Sequence, residues 1–100
     1  MSKKMQINLH PAPLFASGRC YLTPGAMEWL SSRGVHPCSL LDRHFFGDDG
    51  DLCDDDRDAN IYAIQNDLRV VSCYKIAGEK LYVITEADRS STTILLADEY

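Results

Sequence analysis

Glu86, Asp88, Arg89, Thr92 and Thr93 lie within the nine-residue stretch "TEADRSSTT", residues 85–93. An acid pair could transfer protons, a guanidinium fork could steady an anion, and two hydroxyls could orient a polar group. One use of such a set is a small hydrolase or nucleotide-handling enzyme, with Glu86 or Asp88 as acid–base and Arg89 beside the anion. Another is recognition of a polar ligand or a protein partner. A plainer reading weighs against both, because Asp88 and Ser90 are ordinary turn residues whose short side chains bond nearby backbone N–H groups. An enzyme should place Glu86, Asp88 and Arg89 beside a concavity, and an interaction module should present them on a convex tip.

The second concentration of chemistry is "DDGDLCDDDRD", residues 48–58, with Asp48, Asp49, Asp51, Asp54, Asp55, Asp56 and Asp58. A calcium loop of the EF-hand type needs ligands at positions 1, 3 and 5, a glycine at 6 and a glutamate at 12. Starting at Asp49 puts Cys53 at position 5, and starting at Asp51 puts Cys53 at position 3, so neither register works. Asp54, Asp55 and Asp56 instead stand where a helix begins, and carboxylates there oppose the positive end of its dipole. The same residues form an acidic face for a protein partner. Of the net charge of −5, this segment supplies seven aspartates and one arginine, which leaves the rest of the chain at +1. The ten Lys and Arg residues are scattered, which argues against nucleic acid as a partner.

His36, Cys38, His44 and Cys53 contain zinc-ligand types, but their spacing fits no closed structural site. There is no glycine-flanked serine elbow and no phosphate-cradling glycine loop. No metal and no cofactor is expected. Catalytic residues stay unassigned.

These groups must be positioned by the rest of the chain. Arg19 to Leu22 reads as a short strand, and Thr23-Pro24 as a helix start, closed by Gly34. Met27 and Leu30 share one face of that helix. A second helix runs over "HPCSLLDRHFFG" with Leu40, Leu41, His44 and Phe45 on one side. The third follows the aspartates, with Ile61, Ile64 and Leu68 on one stripe. Three β-rich runs follow, near 69–76, 80–86 and 91–96, separated by breaks short enough for antiparallel hairpins. The middle run is apolar enough to require cover on both faces, supplied by the helices. The expected fold is α+β: a C-terminal three-stranded antiparallel meander against two or three short helices, with one additional short N-terminal strand.

With 100 residues, 45% hydrophobic and 25% charged, the chain has the make-up of one globular domain. Residues 1–13 read as a loosely ordered leader and 14–100 as the domain. No apolar run is long enough to span a membrane, and no secretory signal is evident. A cytoplasmic setting with reduced cysteines follows. Cys20 and Cys73, inside apolar runs, are expected to be buried.

Three segments, "TPGAMEWL" (23–30), "GDDGDL" (47–52) and "SCYKIAGEKLYVITEADRSSTTILLADEY" (72–100), resemble a family of small, poorly characterised proteins carried on plasmids and integrative elements of Gram-negative bacteria. Some members bear a restriction–modification subunit label, although this chain has no methyl-donor motif. Where the family often has an aromatic, this chain has Asp49. The resemblance implies mobile-element cargo in the cytoplasm and brings no activity with it. The leading expectation is a non-enzymatic interaction module that acts on a host or element protein, for instance a defence or plasmid-maintenance system. A self-associating protein whose last strand pairs with its copy in a homodimer is a further reading.

Overall fold

The computed structural model describes residues 13–100. Apart from Pro13, the expected leader lies outside those residues. The element order is β1 (Arg19–Leu22), α1 (Pro24–Ser32), α2 (Pro37–Phe45), α3 (Asp54–Gln65), β2 (Val70–Ile76), β3 (Glu79–Thr85) and β4 (Ser91–Leu96), ending in a short 3-10 turn over Ala97–Glu99. This is the α+β order expected from the sequence.

Local chemistry sets the helix ends. Thr23 Oγ1 accepts from the Ala26 N–H at 3.1 Å, with Pro24 at the first helical position of α1. His36 caps α2 through Nδ1, which accepts from the Cys38 N–H at 3.1 Å. Cys53 precedes α3 without a side-chain cap, and Asp54, Asp55 and Asp56 fill the first turn. Gly34, at φ +68°, leaves α1 in the left-handed conformation that glycine adopts without strain.

The meander forms as expected, with β2 antiparallel to β3 and β3 antiparallel to β4. β1 then joins the outside of β4 in parallel, Arg19 opposite Ser91 and Leu22 opposite Ile94, giving the order β1-β4-β3-β2. This corrects one expectation. β4 has a neighbour on each side, so the last strand has no edge with which to pair a copy. The edges are β1 and β2.

Strand alternation gives the sheet two faces. Val70, Ser72 and Tyr74 share one face with Leu81, Val83, Thr85, Thr92, Ile94 and Leu22. Ala26, Leu30 and Leu40 pack there with Tyr74, Leu81, Val83 and Ile94. A second cluster joins Phe15, Phe45, Ala63 and Val70 on the same side. All three helices therefore cover one face, not both. The opposite face carries Val71, Cys73, Tyr82, Ile84, Thr93 and Leu95, and the chain end crosses it where Tyr100 meets Tyr82 with ring centroids 5.1 Å apart.

Three side-chain expectations are also corrected. In α1 the buried residues are Ala26 and Leu30, while Met27 is 54% exposed. In α3 they are Asn60 and Ala63, while Ile61 faces outward, as does Leu68 beyond the end of the helix. Cys73 is buried, but Cys20, on an edge strand, is exposed.

Candidate functional site

Two of the seven aspartates, Asp49 and Asp51, seal the β2 edge, and Asp48 braces the same loop. The loop before α3 runs alongside β2, so that the Cys73 N–H donates to the Asp49 carbonyl at 3.2 Å and the Asp51 N–H donates to the Cys73 carbonyl at 2.8 Å. Asp51 Oδ2 accepts from the Lys75 N–H at 2.9 Å. Asn60, reaching from α3, holds both polar groups of Val71: its Nδ2 donates to the carbonyl at 2.6 Å and its Oδ1 accepts from the N–H at 3.1 Å. Gly50 makes the close approach, since a Cβ there would stand 2.1 Å from the Cys73 carbonyl oxygen. Asp48 accepts from Arg43 at 2.7 Å and from the Gly50 N–H at 3.1 Å. The Arg43 bond holds the Asp48 carboxyl below the usual carboxylate range. Asp49 lies 3.6 Å from Arg57 and 3.3 Å from Asn60.

The other four aspartates differ. Asp54, Asp55, Asp56 and Asp58 are exposed, and among the described residues none has an ion-pair or side-chain hydrogen-bond partner. They share the outer surface of α3 with Ile61 and Tyr62, which are 56% and 60% exposed. Beside them an open groove of about 400 Å³ runs between Asp56, Ala59 and Asn60 on one wall and Arg69, Val71, Tyr82 and Tyr100 on the other.

The 85–93 turn stands at the other end of α3, a helix of twelve residues and hence about 18 Å long. The two sequence-derived clusters are therefore not brought together. Arg89 sits at φ +60°. Its Nη1 donates to the Leu68 carbonyl at 2.6 Å and its Nη2 to the Ala63 carbonyl at 3.1 Å. The fork thus holds carbonyls at the negative end of α3. Glu86 stands 3.5 Å from Arg69, both side chains being half-exposed. Asp88 Oδ1 accepts from the Ser90 N–H at 3.0 Å, and its hydrogen bonds to Ser90 lower its carboxyl from the usual value. Thr93 is half-buried on the face away from the helices, opposite Ile84. Thr92 is fully buried and presents nothing to a partner.

Thr92 belongs to a polar chain that the sequence did not reveal. Ser72 Oγ lies 2.6 Å from His44 Nδ1, His44 Nε2 lies 2.9 Å from Thr85 Oγ1, and Thr85 Oγ1 lies 2.6 Å from Thr92 Oγ1. Thr92 Oγ1 donates to the Ser17 carbonyl at 2.8 Å. That last bond fixes the direction of all the others, because a carbonyl only accepts and each hydroxyl has one proton. Thr92 gives its proton to Ser17, so it accepts from Thr85. Thr85 in turn accepts from His44, which must carry its proton on Nε2. His44 Nδ1 is then an acceptor, and Ser72 donates to it. Burial pushes His44 down to about 4, so the ring is neutral at pH 7.

A serine donating to an imidazole is the ground-state pairing of a nucleophile and its base. Two features work against that use. His44 Nε2–H meets a hydroxyl rather than a carboxylate, leaving an imidazolium without a counter-charge. Ser72 and His44 are also only 1–2% exposed, beside a cavity of about 120 Å³. The chain ties α2, β2, β3, β4 and the approach to β1 together. It is a polar joint, linking residues 28 and 41 positions apart through one ring, so no local spacing could announce it.

His36, Cys38, His44 and Cys53 do not converge: among the described residues no group of three His, Cys, Asp or Glu side chains could hold a metal ion. No helix among those residues is long and apolar enough to cross a membrane. Comparison with protein-family models, curated proteins and solved structures gave no match to this chain.

Proposed function

We propose that the chain is a non-enzymatic protein-interaction module of a mobile genetic element, acting in the cytoplasm on a basic surface of a host or element protein. One observation carries this reading: the aspartates divide into three that are spent on the fold and four that are left unpaired. Carboxylates without an internal role, flanking an exposed tyrosine and isoleucine, suit a partner that brings Lys or Arg around an apolar contact. A defence or plasmid-maintenance component is the partner class that the family resemblance suggests.

The alternative, a small hydrolase or nucleotide-handling enzyme at Glu86, Asp88 and Arg89, draws less support. The Arg89 fork is occupied by main-chain carbonyls, and none of the three lines the groove beside Tyr82 and Tyr100 or the cavity beside His44.

The test is capture from host lysate by the native chain and by a variant with Asp54, Asp55, Asp56 and Asp58 changed to Asn, read by quantitative mass spectrometry. A partner held by the native chain should fall at least tenfold on the variant. Equal capture by both proteins sinks the proposal. Unfolding should move by only about 0.3–1 kcal/mol for each first-turn carboxylate removed.

A further inference from the structure

The two sheet edges are finished differently. On β2, the outward groups of Val71 and Cys73 and the Lys75 N–H are all taken up by Asn60, the Asp49–Asp51 backbone and the Asp51 carboxylate. On β1, the N–H groups of Arg19 and Thr23 go to the Ser90 and Ile94 carbonyls of the β4 side. Alternation along the strand then turns the N–H and C=O of Cys20 and Leu22 outward. Among the described residues these four groups have no partner.

Beside this bare edge lies an apolar groove of about 430 Å³. It is lined by Leu22 of β1, Met27, Leu30 and Ser31 of α1, and the connection to α2 from Gly34 to Pro37. Leu22 belongs to both features, so the unpaired backbone and the groove form one surface. A strand laid outside β1 would set one residue opposite Leu22, with its side chain on the same face and directed to the groove. The residue two positions away would sit opposite Cys20, and the residues between would face the other way.

We infer that this edge is a second docking site, which takes an extended segment of a partner protein by strand addition. Backbone hydrogen bonds to Cys20 and Leu22 supply affinity, and apolar side chains at alternate positions of the segment supply selectivity. The charge points to the flanks of that segment. No carboxylate lines the groove, and the one cation beside it, Arg19 at the start of β1, is exposed with no ion-pair partner among the described residues. The segment therefore carries an acidic residue at the end that lies beside Arg19, and terminal glutamates at both ends of a probe serve either strand direction. This surface is distinct from the acidic face of α3, which lies at the opposite side of the sheet and favours a basic partner.

The probe is an acetylated heptapeptide that alternates valine and threonine between two terminal glutamates, titrated into the full-length chain labelled with nitrogen-15. Binding should saturate with a dissociation constant below about 1 mM. Amide shifts and slowed exchange should centre on Cys20 and Leu22. Cys20→Pro deletes one outward N–H without touching the bonds to β4, a substitution that edge strands tolerate. It should weaken binding at least tenfold. Met27→Glu, on an exposed helix position, should do the same by placing charge in the groove. The inference is overturned if the dissociation constant exceeds about 1 mM, if the shifts centre elsewhere, or if both variants bind as the native chain does. It is also overturned if light scattering shows a dimer that Cys20→Pro converts to monomer, because the occupant is then a second copy.

Discussion

Acidifying the protein from pH 7 to pH 4 tests the buried polar chain directly. His44 titrates near 6.5 when unfolded, and burial brings it to about 4 in the folded protein. Between those values the unfolded chain binds a proton that the folded chain refuses, so stability declines as the pH falls through this window and is level above it. Each pH unit in the window contributes about 1.4 kcal/mol, and the whole window about 3 kcal/mol. For a domain of this size that is a large part of the total. Urea unfolding at pH 7, 5.5 and 4 would measure the loss. The same series on His44→Leu isolates it, because the contributions of Asp48, Asp88 and Glu99, whose carboxyls are all held below their usual range, occur in both proteins. The difference between the two proteins should shrink by about 3 kcal/mol from pH 7 to pH 4. Nitrogen-15 NMR of the ring should show the proton on Nε2 and an unprotonated Nδ1. A flat difference, a folded-state midpoint above pH 6, or a proton on Nδ1 would refute the reasoning.

Other substitutions probe the remaining joints. Thr92→Val removes the hydroxyl that links Thr85 to the Ser17 carbonyl and leaves both without that partner, a cost of about 1–3 kcal/mol for each unsatisfied group by urea unfolding. Gly50→Ala should lose about 3 kcal/mol, since φ is +78° and the new methyl would meet the Cys73 carbonyl oxygen; hydrogen exchange should then quicken at Cys73 and Lys75. Arg89→Met should lower stability by about 1–3 kcal/mol by leaving the Leu68 carbonyl without its donor, while the Ala63 carbonyl keeps the Leu68 N–H. Arg89→Lys should recover at most half of that loss, because an ammonium cannot span both carbonyls as the planar fork does.

Local chemistry was readable from the sequence, and long-range pairing was not. Thr23-Pro24, Pro37 and Gly34 announced helix ends because capping depends on residues a few positions apart. The three β-rich runs showed their hairpins through short breaks. The parallel seat of β1 on β4 was hidden, since Arg19 and Ser91 are brought together only by the finished fold. The inward stripe of α3 departs from the apolar pattern because Asn60 seals the β2 backbone and so turns Ile61 outward, a polar demand overriding an apolar one. Of the candidate contact residues, Asp54, Asp55, Asp56 and Asp58 remained available. Asp48, Asp49, Asp51 and Arg89 proved to be committed to main-chain and side-chain bonds inside the molecule.

The sealing of β2 by Asn60 and the Asp49–Asp51 segment has a consequence for assembly in crowded solution. Stacking chain upon chain into an endless ribbon needs every unit to offer two open edges, and among the described residues this one offers only β1. Whatever hydrogen-bonds there exhausts the capacity for growth, so association halts at a finite count instead of elongating into fibres.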